Sequence, residues 1–326
     1  TNISSPLSSS GRLSPENAIY EFLDPTVDML QAGDLQYSSY EMAFSGDNLP
    51  EDESGLDMFV DQNGAFNLSG GAGPATFDTR IESDEFPVSI SGSAEAGTFE
   101  ISLKEGVLAY VADTGGFIYN VAVSYPGLPL PPFELAAGEL GMDFRIPMRQ
   151  ADGPQPVNAD LSISDLTISE ALWGLIDPEG TIPRDPANLN IDLGATVEIL
   201  APVVESLDED GVDDAGNPME VAQVSDVDIT TVYLNAGGAE VAADGSLVMN
   251  NAGPFPMPEG AINVSLKGIQ GLVNSLTELG LVGAQEAGMA MGMMMAFAKP
   301  GEEPDSFTSE IEFKDGGVTA NGIPLQ

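Results

Sequence analysis

The chain offers oxygen and thioether ligands but none of the usual nitrogen or thiolate ones. Leu207 to Asn217 reads LDEDGVDDAGN and brings Asp208, Asp210, Asp213, Asp214 and Asn217 together. Hard oxygen donors at that density suit calcium. Their spacing is not that of an EF-hand. Counted from Asp208, Gly211 comes at the fourth position, where that loop needs its glycine at the sixth. A solvated acidic turn accounts for the same residues. The second group is AGMAMGMMMAF, which places Met289, Met291, Met293, Met294 and Met295 just before Phe297. Thioethers bind Cu(I), but the His or Cys that usually completes such a site does not occur. Met also fills irregular cores and lines adaptable apolar surfaces. The run is read as core packing, or, with Phe297, as a surface for acyl chains or a partner helix. Trp173 is the only tryptophan. It suits the rim of a core or an interface.

With no His and no Cys, Ser-His-Asp, Cys-His and ordinary zinc chemistry are excluded. Paired carboxylates could still run acid–base chemistry, as in glycosidases. Among 52 acidic residues, no pair stands out in sequence. The expectation is a protein that is not an enzyme and holds no cofactor, calcium at Asp208 to Asp214 apart.

The acidic residues face only 9 basic ones, for a net charge of −43. A polyphosphate backbone would be repelled, which argues against nucleic acid as a partner. Charge-driven binding to anionic membranes is disfavoured for the same reason. A saline or cation-rich setting is the plain explanation of the charge. No stretch is long and apolar enough to span a membrane as a helix.

Two stretches set the expected architecture. Leu13 to Pro25 reads LSPENAIYEFLDP and Leu166 to Pro178 reads LTISEALWGLIDP, with Leu, Ala, Asp and Pro at matching positions. Ser14 or Thr167 would cap a short helix, with Glu170 completing a capping box after Thr167. Ala18, Ile19, Phe22 and Leu23 would form one apolar face, and Ala171, Leu172, Leu175 and Ile176 the other. Pro25 and Pro178 would end the helices. The pair reads as an internal duplication with halves 1–155 and 156–326 in one continuous unit.

Between these stretches the chain alternates in the manner of strands. Examples are FPVSISGS, TFEISLKEGVLAY and FIYNVAVSY, punctuated by Gly and Asp turns. Strands are expected near 34–46, 56–60, 64–69, 74–82, 86–93, 96–103, 106–112, 117–125 and 139–149. A second series is expected at 158–165, 188–199, 223–234, 239–249 and 261–267, before a closing hairpin in SEIEFKDGGVTANG. Residues 269–279 and 284–298 read as helices. The fold class is mainly β: a long curved antiparallel sheet of two related halves, with a few short docked helices.

SDLTISEALWGLIDPEGTIPRDPANLNIDL, PFPMPEGAINVSLKGIQGLVNSLTELGLV and SEIEFKDGGVTANGIPLQ together resemble an uncharacterised family of alphaproteobacterial envelope proteins, domain of unknown function 2125. The motifs that carry the resemblance are LW-x-x-x-DP-x(4)-PRDP and DGGV-x-ANG. Family members look exported, with an N-terminal hydrophobic signal or anchor. The resemblance therefore implies the periplasm or cell envelope, and a chain that starts at Thr1 fits removal of a signal. It implies no activity and no site residues. The strand-rich pattern and Asn-Gly ending are also similar to larger envelope proteins associated with lipid handling, by analogy alone. The expected function is binding of an apolar, lipid-like ligand or a partner protein on a concave sheet. The alternatives are a structural or accessory subunit of an assembly, and a carboxylate-only enzyme such as a glycoside hydrolase.

Overall fold

Period-two alternation builds one open antiparallel sheet, and interruptions of that period divide it into two leaves. The structure, a computed structural model, describes residues 7–13, 16–24, 29–37, 40–47, 64–83, 87–123, 130–201, 203, 221–253 and 255–325. The first strands are β1 (Leu7–Leu13), β2 (Glu16–Asp24), β3 (Met29–Tyr37), β4 (Tyr40–Asp47), β5 (Ala65–Ala72) and β6 (Ala75–Ser83). Next come β7 (Val88–Ala94), β8 (Gly97–Lys104), β9 (Val107–Thr114), β10 (Phe117–Val123), β11 (Phe133–Ala137) and β12 (Glu139–Pro147). They pair in the order β1-β4-β5-β8-β9-β12 in a long leaf. In a side leaf the order is β2-β3-β6-β7-β10-β11. Strand β13 (Gln155–Ile168) belongs to both, pairing with β12 up to Ser164 and with β11 at Thr167 and Ile168.

Each strand of one leaf thus continues, after one or two residues, as a strand of the other. The ladder crosses the junction without a change of register: Glu95 N–H donates to Gly116 O at 2.7 Å and Gly115 N–H to Ala96 O at 3.0 Å. The side-chain alternation does lapse there. A Cβ on Gly115 would lie 2.8 Å from Cβ of Glu95, and one on Gly116 would face Cδ of the same Glu95 at 3.8 Å. Two consecutive residues therefore share one side. The apolar phase steps by three at this line, from Ala94 to Gly97, Thr114 to Phe117, Ala137 to Leu140 and Ile163 to Leu166. As a result the apolar residues of both leaves lie on the same side of the sheet. Small or turn-tolerant residues occupy the crease, including Gly73-Pro74, Gly115-Gly116 and Ser164-Asp165. Asp165 takes a left-handed φ of 51°.

The long leaf goes on through β14 (Ala187–Ile199), β15 (Ala222–Ala236), β16 (Ala239–Asn250), β17 (Met257–Lys267), β19 (Ser306–Lys314), β20 (Gly317–Ala320) and β21 (Ile323–Pro324). The two-residue β18 (Lys299–Pro300) also pairs with β19. Here helices and a loop stand at the strand ends that the side leaf occupied earlier. They are α1 (Glu170–Ile176), the loop 177–186, α2 (Ile269–Glu278) and α3 (Ala284–Phe297). Ile182, Ala239, Ala287 and Phe307 are buried where they meet the sheet, while Leu103 is buried near Phe66, Leu108 and Met148.

The expected mainly β fold and antiparallel pairing are present, and 269–279 and 284–298 are helical. The first of the two matched stretches is not. Residues 16–24 form β2, paired along its whole length with β3. ENAIYEFLD satisfies both periods, with Ala18, Tyr20 and Phe22 in alternation, and a nine-residue pairing partner decides between them. The second stretch is helical but shorter than expected. Thr167 lies in β13, and Ser169 is the N-cap residue, with its Oγ accepting from Glu134 N–H at 3.0 Å instead of capping. The single strand expected at 34–46 is two, β3 and β4, separated at the crease. The strand expected at 56–60 lies outside the described residues. The β12–β13 ladder spans the expected seam at 155.

Candidate apolar-ligand surface

Cross-strand register places one apolar row across twelve strands of the long leaf. It begins Phe44, Leu68, Ile101, Tyr110, Phe144, Ala159. It continues Leu193, Ile229, Gly245, Ile262, Ile311, Ala320. At about 4.8 Å between strands, the row is about 50 Å long. A parallel row of Met42, Gly70, Phe99, Ala112, Met142 and Leu161 runs beside it. In the side leaf, the Phe77 and Tyr119 rings lie 5.3 Å apart across Gly92, and Phe117 stacks 4.8 Å from Tyr119.

Among the described residues, little covers this side of the sheet. Met42 is 40% exposed, Tyr110 37%, Ile146 46% and Leu234 42%. Most other members of the rows are half-buried. An alternating strand buries its apolar side against a second layer when one exists. Here the side leaf and helices wall one end of the strands, and the apolar row itself stays accessible.

The reverse side is acidic. Asp143, Asp160 and Asp192 are direct cross-strand neighbours. Arg145 holds Asp143 through two 2.8 Å bonds. Burial, then Asp192 and Asp143, raise the Asp160 carboxyl above its ordinary value. A hollow of about 570 Å³ is lined by Glu41, Ser69, Thr98 and Glu100 together with Met42, Ala43, Phe99 and Val111. The sheet thus separates an apolar face from a charged one.

The two motifs noted in the sequence work as clips. Asp177 has no accessible surface. Its carboxylate accepts from Thr181 N–H at 2.9 Å, Thr181 Oγ1 at 3.0 Å and Ile182 N–H at 2.8 Å. Burial pushes its pKa up, but the Ile182 and Thr181 bonds and the Arg184 charge outweigh that and hold it below its ordinary value. Arg184 binds the Glu170 carboxylate, donates to Asp177 O at 3.0 Å and covers the Trp173 ring. Trp173 is therefore half-buried beneath a guanidinium, at the rim. In the closing motif, Asn321 adopts φ 51° and donates to Phe297 O at 2.8 Å, and Ser309 Oγ donates to the same carbonyl at 3.0 Å. Asp305 caps α2 through Gln270 N–H at 3.1 Å and Gly271 N–H at 3.0 Å. LW-x-x-x-DP-x(4)-PRDP and DGGV-x-ANG fasten the helical wall to the sheet.

The Met-rich run does not serve mainly as core. On α3 only Ala287 is buried; Met291, Met294 and Phe297 are half-buried, and Met289, Met293 and Met295 are 55%, 60% and 60% exposed. The helix is apolar nearly all round, so its inner stripe leaves equally apolar residues outside. Asp208, Asp210, Asp213 and Asp214 lie outside the described residues. Among the described residues no group of three or more His, Cys, Asp or Glu is placed to hold a metal ion. No helix among them is long and apolar enough to cross a membrane. The sequence reasoning missed the crease and the Asp177–Arg184 clip. The three-residue step in apolar phase was the available signal for the first.

No curated protein and no solved structure matches the chain. A family model does, over residues 72–326. That span holds the crease from β5–β6 onward, the continuation of the long leaf and both clips. The chain belongs to the bacterial family described as uncharacterized protein conserved in bacteria, DUF2125.

Proposed function

We propose that this protein is an exported, non-enzymatic envelope protein that holds the acyl chains of a lipid along the apolar side of its creased sheet. The observation that carries this reading is the apolar row from Phe44 to Ala320, accessible along a side that a second layer would otherwise cover. Each methylene taken from water contributes about 0.8 kcal/mol. Ten in contact with the row would contribute about 8 kcal/mol before the cost of ordering the chain. The acidic reverse face keeps the molecule in solution while the apolar face is occupied.

Native mass spectrometry of gently purified protein tests the reading directly. The expected result is added mass matching a lipid. In titrations with a fluorescent fatty acid, Tyr110→Asp combined with Ile146→Asp is expected to weaken binding about ten-fold or more, since each puts a charge on the apolar face. Thr98→Asp on the reverse face is expected to leave it unchanged. A bare protein mass together with no uptake of the fatty acid would refute the reading.

A further inference from the structure

Beyond its first turn, where Gln285 and Glu286 are exposed, helix α3 presents an outward face with no hydrogen-bonding side chain. From Ala287 to Ala298 the sequence contains no charged and no polar residue. The half-buried or buried positions Ala287, Met291 and Met294 repeat at helical spacing toward the protein. The opposite side carries Met289 and Met293 at 55% and 60% exposure, and Met295, at 60%, stands on the flank between the two sides. Gly288 and Gly292 lie between them, and a Cβ on either would meet nothing within 4 Å. The helix is nonetheless fixed in place. Phe297 O at its last turn is held by Ser309 and Asn321, and Glu286 closes its first turn on the Gly283 N–H at 3.4 Å.

We propose that α3 is a bilayer-docking element that seats its methionine face in the interface of a zwitterionic lipid surface. Three features choose this occupant. A protein partner is normally registered by a hydrogen bond for every 100–200 Å² or so of interface, and from Ala287 on this face offers no side-chain donor or acceptor. Flexible thioethers adapt to a fluid, irregular apolar surface. The charge balance chooses the lipid: with a net charge of −43, an anionic leaflet repels the molecule and a zwitterionic one does not. At 14 residues the helix is about 21 Å long, short of the roughly 30 Å hydrocarbon core. It therefore lies in the interface, where such helices sink about 5–10 Å. Docking through α3 stands whether or not the apolar row carries a chain.

The test is flotation of the full chain with phosphatidylcholine vesicles, and with vesicles containing added phosphatidylglycerol. The chain is expected to float with the first, and several-fold less with the second at low salt, with partial recovery at high salt as the charges are screened. Met289→Glu, Met293→Glu and Met295→Glu together are expected to lower the bound fraction about ten-fold or more, while fatty-acid uptake and circular dichroism stay unchanged. Met293→Glu alone, at a site 60% exposed and opposite the inner stripe, is expected to give an intermediate loss and serves if the triple variant misfolds. Failure of the wild type to float with phosphatidylcholine, or equal flotation of the variants, overturns the proposal. So does a wild-type dimer that the glutamates dissociate without any flotation, which would assign the face to a second copy. Fatty-acid uptake is read separately, so loss of flotation and loss of chain binding are distinguishable.

Discussion

The Arg184 guanidinium carbon sits 5.6 Å from the centroid of the Trp173 ring, and the same side chain donates to the Asp177 carbonyl at 3.0 Å. One cation thus joins α1 to the loop that follows it. Because Trp173 is the only tryptophan, its emission reports on this junction alone. Arg184→Ala is expected to shift that emission to the red and to lower the melting temperature. Arg184→Lys is expected to recover only part of both, because an ammonium lacks the planar fork that reaches ring, carbonyl and Glu170 together. An unchanged spectrum in the alanine variant would show that the ring is not covered in solution.

Asp177 is expected to give the fold a specific acid sensitivity. Its folded pKa is lowered, so the ionised carboxylate favours the folded state. That contribution is complete above the ordinary carboxylate range and is lost as pH falls through the folded pKa. Asp177→Asn is therefore expected to be less stable than wild type at neutral pH, with the gap closing in acid. Urea unfolding across pH checks this, and a gap independent of pH would be the contrary result.

Asp160 is expected to behave in the opposite sense. Its folded pKa is raised by burial and by Asp192 and Asp143, so its ionised form opposes folding. The penalty is absent below the ordinary carboxylate range and grows as pH rises through the folded pKa. Asp160→Asn is expected to stabilise the protein at neutral pH by up to about 1 kcal/mol, the scale of like charges directly opposite on neighbouring strands. Added salt should shrink the difference, and denaturant midpoints at two ionic strengths measure it.

Two glycines should respond to alanine with opposite signs. A Cβ on Gly92 would lie 2.1 Å from Ile118 O and 2.9 Å from Cζ of Phe77. Gly92→Ala is expected to cost about 1–3 kcal/mol, since backbone and a packed ring would have to move. Gly174 lies inside α1 with nothing within 4 Å of its Cβ position. Gly174→Ala is expected to add about 0.5–1 kcal/mol. Equilibrium unfolding of both variants decides the pair, and a stabilising Gly92→Ala would contradict the close approach at that strand.

Much of the sheet was legible because its signals are local. Alternation in TFEISLKEGVLAY with a Glu-Gly turn yields β8 and β9, joined by Glu105 and Gly106 at φ 55° and 78°. The helical spacing in GIQGLVNSLTE yields α2 in the same way. The stretch ENAIYEFLD was misread because nine residues carry both periods, and only its pairing with β3 breaks the tie. The exposure of Met289, Met293 and Met295 was hidden for a related reason. A run of methionines is equally apolar on every side of a helix, so its composition does not say which side the sheet takes.

By itself, the sequence determined which chemistries are closed to this protein, because side chains that do not occur cannot act: no imidazole and no thiol. It also determined the local periods that make most strands and two helices. Tertiary structure decided what those elements face. Asp143, Asp160 and Asp192 become neighbours only through strand register, and a register is a relation between distant segments. The common apolar side of the two leaves depends on consecutive residues such as Gly115 and Gly116 pointing the same way. That arises when a paired ladder bends, and an isolated strand has no reason to do it.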